Sequence, residues 1–338
     1  MILLKDLLVF HNKTKMQKKT IIPITDKKIN KLYKLWLENG FEKEEKIDIT
    51  KPLLRGSEKD INQINLYSTE KDQLILSTAV LIFQIDNPSI SGIGEVCTEL
   101  NSRGNKFAYN LCKLARDDFF SIDNSQCNFL GTINPLAAKI YKKLGWKKIE
   151  NSYVMYNSIN FSNFDHFIEE KYIQSEKLVI SNGSSYFRLP LIPFILSNKN
   201  VLYSDMNVGI SSEIISAACL SLYEMYNSLL SRNGRWFCMH NQSNQIYGIS
   251  TIISEMNKIY KIDGFSNQNY KDDFYKLVDY TCNLVLENDP MKIYVDVLND
   301  DTYKIEIFSE LGFIETSSYS YTFDRKIKKL CNRMVLRI

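Results

Sequence analysis

The chain has 338 residues, 44% hydrophobic and 24% charged, the make-up of a soluble globular protein long enough for two domains. Its 42 basic residues against 39 acidic ones, a formal net charge of +3, exclude the one-sided basic excess of a nucleic-acid footprint. Seven cysteines, none in Cys-x-x-Cys spacing, exclude a zinc pair or redox dithiol and point to a reducing cytoplasm, with no metal expected.

Met1 to Phe10 is apolar but holds Lys5 and Asp6, so it makes no signal-peptide core. Lysine runs at Lys13 to Lys19 and Lys326 to Lys329 read as solvated termini. Ile21 to Ile24 is a candidate strand and Asp26 to Asn39 a helix closed by Gly40, followed by the charged, poorly patterned Lys43 to Asp60. Leu74 to Ile85 is β-rich and buried, with Asn87-Pro88 as the turn before a strand through Gly94, Glu95, Val96, Cys97 and Thr98. A small-residue turn with Arg103 and Gly104 follows, then a helix whose Phe107, Ala108, Leu111, Leu114 and Ala115 recur at helical spacing. A strand running into such a turn suits a pyrophosphate. The first helical amides lack an intrahelical partner, and the positive end of the helix dipole faces the loop.

Cys127 to Ile133 is the next strand. Asn134 is a good N-cap, Pro135 suits the first turn, Ala137, Ile140, Tyr141 and Leu144 share a face, and Gly145 closes about three turns of helix. A connecting segment lies between about Asn160 and Asn200, with Asn182-Gly183-Ser184-Ser185 as its clearest break. Its apolar run Leu189 to Leu196 is too short to span a membrane and contains Pro190 and Pro193, so no membrane partner is expected. Beyond it the patterns predict strands at Val201 to Ser204, Arg235 to His240, Ile246 to Ser254, Lys258 to Asp263 and Tyr294 to Leu298, with helices at Ser212 to Leu230 and Asp272 to Glu287. Ile140-Tyr141-Lys-Lys-Leu144-Gly145-Trp146 recurs as Ile307-Phe308-Ser-Glu-Leu311-Gly312-Phe313 close to half the chain length later, each copy after a strand-like segment.

The runs Gly94 to Ala108 and Asn134 to Trp146 resemble the two signature motifs of the GNAT superfamily of N-acyltransferases, in the right order and about thirty residues apart. The resemblance implies an α/β (α+β) fold of two tandem GNAT-like domains, each a mixed, mostly antiparallel sheet flanked by helices. Residues 1–160 would form the cofactor-binding domain, 161–200 the connection and 201–338 a degenerate second copy. The family's loop is Arg or Gln, two residues, Gly, one residue, then Gly or Ala. Arg103 and Ala108 fit it, while Lys106 occupies the inner glycine position.

It further implies acetyl-CoA or another acyl-CoA as co-substrate, held by Val96, Cys97, Thr98, Arg103, Gly104, Asn105, Lys106, Phe107, Ala108, Asn134 and Ala137. The pantetheine arm would lie along the motif strand as an added strand, with the amides of Val96 to Thr98 near the oxyanion. A small-molecule amine would attack the thioester directly, with Tyr141 as acid at the leaving sulfur. Glu95 and Glu99, on one face of a regular strand, are candidate bases, although a bulge would reset that parity. His11, His166 and His240 lie outside both motifs and receive no role. Lys106 leaves open an acyl carrier protein as donor, and a non-catalytic binding module is the third reading. In the second copy Phe308 replaces Tyr141, Asp301 replaces Asn134, and Asp263 to Tyr270 has no phosphate-loop spacing, so cofactor binding is expected in the first copy alone.

Overall fold

A computed structural model describes residues 16–40, 50–172, 177–198, 201–212, 219–323 and 327–337. His11 and part of the helix expected over Ser212 to Leu230 fall outside them. Two seven-stranded sheets carry the architecture. The first contains β1 (Met16–Ile21), β2 (Asn62–Lys71), β3 (Leu74–Gln84), β4 (Ile90–Thr98), β5 (Cys127–Gly131), β6 (Lys147–Lys148) and β7 (Val154–Ser158), in the order β1-β2-β3-β4-β5-β7-β6. Its helices are α1 (Asp26–Glu38), α2 (Thr50–Leu54), α3 (Phe107–Phe120), α4 (Pro135–Lys143) and α5 (Phe164–Lys171).

Helix α1 starts where Thr25 accepts from the Lys28 N–H, and buries Ile29, Leu32, Tyr33 and Trp36 along one stripe. The expected strand Ile21 to Ile24 lies earlier, as β1, because Pro23 has no N–H to offer a ladder. β1 runs antiparallel to β2, from Met16 opposite Glu70 to Ile21 opposite Asn65.

The second sheet orders its strands β15-β16-β14-β13-β12-β11-β8. They are β8 (Val179–Asn182), β11 (Gly234–His240), β12 (Ile246–Ser254), β13 (Ile259–Ser266), β14 (Lys292–Leu298), β15 (Phe313–Phe323) and β16 (Ile327–Leu336), while β9 (Ser204–Asp205) and β10 (Ile210–Ser211) pair separately. The helices here are α6 (Leu191–Ser197), α7 (Ser221–Asn227), α8 (Lys271–Leu286) and α9 (Thr302–Glu310). Helix α8 buries Phe274, Leu277, Val278, Cys282 and Val285 in one core with Ile262, Val295, Ile307 and Phe308.

Two expectations need correction. The strand placed at Val201 to Ser204 is the two-residue β9, and the described part of the helix over Ser212 to Leu230 is α7 followed by the 3-10 turn Ser228–Arg232. Ser221, Asn227 and Ser228 favour local side-chain hydrogen bonds over a continuous helix, and Ser228 Oγ donates to the Met225 carbonyl at 2.7 Å. The segment 161–200 contributes α5, β8 and α6.

The chain divides into two compact units, and the division runs through β4. Gln63–Ile82 and Ile93–Asp118 belong with the residues up to Lys59, whereas Phe83–Gly92 and everything from Phe119 belong to the larger unit. No helix among the described residues is long and apolar enough to cross a membrane.

Candidate active site

Strand β4 is not regular. Glu95 has a φ of +51°, a left-handed residue in mid-strand, the conformation found in a bulge of the G1 type. Its carbonyl accepts the Thr78 hydroxyl at 2.7 Å, and Thr78 in turn accepts the Trp36 indole N–H at 3.1 Å. These buried bonds hold the distortion in place. Farther along, Ser77 Oγ donates to the Cys97 carbonyl at 3.0 Å and lies 2.8 Å from Thr98 Oγ1, while the Glu99 N–H bonds to the Leu76 carbonyl at 2.9 Å.

The even spacing of Glu95 and Glu99 therefore does not put them on one strand face. The left-handed turn at Glu95 resets the alternation, β4 ends at Thr98, and Glu99 stands as N-cap residue of the 3-10 turn Leu100–Ser102. The Glu99 carboxylate accepts Ser102 Oγ at 2.5 Å and Asn101 Nδ2 at 3.4 Å. Glu95 is half-buried beside Cys97. Burial pushes the Cys97 thiol up to about 11, Arg103 pulls against that and Glu95 adds to it, so this cysteine is a neutral thiol near neutral pH.

The loop after Glu99 is open and left-handed at two places. Gly104 has φ +82° with nothing within 4 Å of the position a Cβ would take, so its glycine serves the backbone rather than a close contact. Lys106 has φ +58°: the inner glycine position is left-handed, and lysine adopts that geometry. Arg103 Nε donates to the Thr98 carbonyl at 3.3 Å and Asn105 Nδ2 to the Ser102 carbonyl at 3.1 Å, fixing the loop while Arg103, Gly104, Asn105 and Lys106 stay exposed. Asn110 N–H bonds to the Lys106 carbonyl at 2.9 Å and is the first intrahelical donor, which leaves the N–H groups of Ala108 and Tyr109 ahead of it. Exposed amides, the dipole end of α3 and two cationic side chains form an anion-receptive loop, and these residues fit a diphosphate.

The second motif lies in the larger unit. Asn134 Oδ1 caps α4, accepting from Leu136 N at 2.9 Å and Ala137 N at 3.4 Å. Tyr141 is 5% exposed and packs edge-on to Trp146 with ring centres 6.2 Å apart, and Gly145 at φ +98° closes the helix. The repeat reproduces each feature. Asp301 Oδ1 caps α9 on Lys304 N at 3.1 Å, Phe308 meets Phe313 edge-on at 5.0 Å, and Gly312 has φ +89°. Each half thus has a seven-stranded, mostly antiparallel sheet flanked by helices and carries one helix-Gly-aromatic unit.

In the second half, side chains close the gap where β13 and β14 part. Strand β13 pairs with β14 in parallel over Ile259–Lys261 against Lys292–Tyr294, after which both continue without a ladder. Ile262 and Val295 face the α8 side, so Asp263 points to the opposite face. Lys304, on α9 of the α8 side, reaches across to pair with Asp263, and its ammonium also donates to the Ser204 carbonyl at 2.9 Å. From the other face Met206 N–H bonds to Asp263 Oδ2 at 2.7 Å, Asn207 Nδ2 to Thr251 Oγ1 at 3.0 Å, and Thr251 Oγ1 to the Asp205 carboxylate at 3.1 Å. Burial, with repulsion from Asp263, pushes the Asp205 carboxyl up to about 7 against the pull of Lys304. Burial alone would lower the pKa of Lys304, but Asp263 and Asp301 outweigh it and keep the ammonium charged. The sequence reading missed this buried network, since Asp205 and Lys304 look like ordinary surface charges in one dimension.

No protein-family model matches the chain, and no curated protein is similar to it. Solved structures similar to it include the spermidine/spermine N-acetyltransferase SpeG of Vibrio cholerae, 14% identical over 47% of this chain and 92% of that one, with a TM-score of 0.36. Another is an acetyltransferase-like protein of Acinetobacter baylyi ADP1, 10% identical over 49% of this chain and 95% of that one, with a TM-score of 0.40.

Proposed function

We propose that the chain is an N-acyltransferase whose N-terminal GNAT-like domain transfers an acyl group from acyl-CoA, acetyl-CoA first among them, to the amine of a small molecule. The observation that carries this is a β4 strand interrupted at Glu95, running into a loop left-handed at Gly104 and Lys106, at the N-terminus of α3. In this reading Arg103 to Ala108 hold the diphosphate and Val96 to Thr98 receive the pantetheine arm. Asn134 and Ala137 border that arm. The amine nitrogen forms a bond to the thioester carbonyl and the C–S bond breaks. Glu95 or Glu99 takes the amine proton, and Tyr141 gives one to the thiolate. Both glutamates stay in the proposal as separate candidates, since they no longer share a face.

Thiol release from acetyl-CoA over a panel of small amines tests the reaction. Tyr141→Phe is expected to lower kcat by about 10²-fold or more while leaving the affinity for acetyl-CoA nearly unchanged. An unchanged kcat returns Tyr141 to the core.

Lys106 supports a second donor, an acylated carrier protein, whose phosphopantetheine has one phosphate and no adenosine. With acyl-CoA as donor, Lys106→Ala weakens binding and makes it less salt-sensitive. With a carrier as donor, wild type is slow on acetyl-CoA and Lys106→Ala impairs the carrier-dependent reaction alone.

A further inference from the structure

We infer that Ser181 and His240 form a nucleophile–base pair in the C-terminal half, able to take an acyl group from short activated esters, thioesters included. Ser181 Oγ lies 2.9 Å from His240 Nε2, and His240 Nδ1 lies 2.7 Å from the Asn241 carbonyl. A carbonyl oxygen only accepts, so Nδ1 carries the ring proton and Nε2 is the bare nitrogen that accepts the serine hydroxyl. Nucleophile, base and a third group that orients the base are thus in one line, the arrangement that activates a hydroxyl.

The surroundings keep the pair in the productive state. Burial lowers the pKa of His240 below its ordinary value, with only a partial counter-effect from the Asn241 carbonyl, so the imidazole is neutral near pH 7. The ring packs edge-on to Phe187 at 4.9 Å, which fixes its plane. On the strand carrying His240 the neighbouring titratable group is Cys238, whose thiol burial holds well above its ordinary value. On the turn carrying Phe187 the next residue, Arg188, sends its guanidinium to the Leu220 carbonyl and Glu224. No charged side chain therefore competes for the imidazole from these elements.

Ser181 is half-exposed on β8, the edge strand of its sheet among the described residues. Gly183 follows under Trp236, where any Cβ would meet the indole at 2.0 Å, and its N–H bonds to the Trp236 carbonyl at 2.7 Å. In that register Ser181 opposes Cys238 and turns its own N–H toward β11, so the ladder's alternation directs the N–H groups of Ile180 and Asn182 to the open edge on either side of the nucleophile. These two amides lie about 6.6 Å apart along the edge, so a developing oxyanion meets one of them at a time.

In the acylation step Oγ bonds to the acyl carbon, the bond to the leaving alkoxide or thiolate breaks, and the hydroxyl proton passes to Nε2 and then to the leaving group. Water reverses the sequence and frees the carboxylic acid.

A fluorophosphonate tests the pair on the intact chain: Oγ–P forms, P–F breaks and fluoride leaves. One adduct per chain is expected, mapped to Ser181 by peptide mass spectrometry and absent in Ser181→Ala. Its rate should fall about 100-fold in His240→Gln. In the wild type the rate should level off above the imidazole's lowered pKa. No adduct at Ser181, a rate unchanged in His240→Gln, or a wild-type rate rising about tenfold per pH unit from about pH 6 to about pH 9 overturns the proposal, because each means that a merely structural hydrogen bond joins the two side chains.

Discussion

Lys106 holds a left-handed backbone with φ +58°, and the balance at such a site is between side-chain sterics and chain entropy. A Cβ costs roughly 1–2 kcal/mol there, while glycine costs roughly 0.5–1 kcal/mol in the unfolded chain. Lys106→Gly is therefore expected to change stability by no more than about 1 kcal/mol, and Lys106→Val, branched at Cβ, to lose about 1–2 kcal/mol. Urea midpoints compare them, and a valine variant as stable as the glycine one would show that the loop relaxes out of this geometry. The buried charges of the second half have larger stakes. Lys304→Met leaves Asp205, Asp263 and Asp301 without their cation, and is expected to cost about 3–5 kcal/mol. The loss should be smaller at about pH 5 than at about pH 8, because protons can then replace the ammonium. Burial pushes Asp205 to about 7 and Asp301 to about 6, both above the ordinary 3.8. Their contribution is thus full below about pH 4 and is lost as pH rises through about 6 to 7, since the folded state binds the extra protons. Asp205→Asn should gain on the wild type in urea midpoint as pH rises from about 5 to about 8; a constant difference would mean that Asp205 is ionised throughout.

Helix α4 shows how one residue can serve an element and a ligand. Asn134 spends its side-chain oxygen on the cap, at 2.9 Å from Leu136 N, which leaves the amide nitrogen for a cofactor. Asn134→Ala is expected to cost about 1 kcal/mol. Asn134→Ser keeps an accepting oxygen and should hold stability within about 0.5 kcal/mol while weakening acyl-CoA binding, because the donor is gone. Equal acyl-CoA affinity in wild type and Asn134→Ser, by calorimetric titration, would confine Asn134 to capping. The element itself was legible from Asn134, Pro135, the apolar stripe and Gly145, all within one helix length. Strand β2 was not, because Asn62–Lys71 is rich in polar residues that a central strand position buries, as with Ser68 and Thr69.

For the whole molecule the two halves predict unequal binding. The first offers an open anion-receptive loop, whereas in the second Lys304 and the segment Ser204 to Asn207 fill the parting of β13 and β14. Calorimetric titration with acetyl-CoA should give one site per chain. Saturation at about 100 times the dissociation constant should add about 2.7 kcal/mol to stability. Two equivalent sites would overturn the asymmetry.

The sequence by itself determined the local units: both helix caps, both helix-closing glycines, the repeated Tyr141–Trp146 and Phe308–Phe313 pairs, and the turn at Gly104. Each of these is written in residues a few positions apart, where propensity and spacing act directly. Tertiary structure alone decided the left-handed Glu95, which depends on Thr78 and Trp36, and the ion pair of Lys304. It alone brought Ser181 to His240, 59 residues away, and Lys304 to Ser204, 100 residues away. The reason is physical: a buried polar group is stable only with its partners supplied, and those come from strands and helices whose register no local pattern encodes.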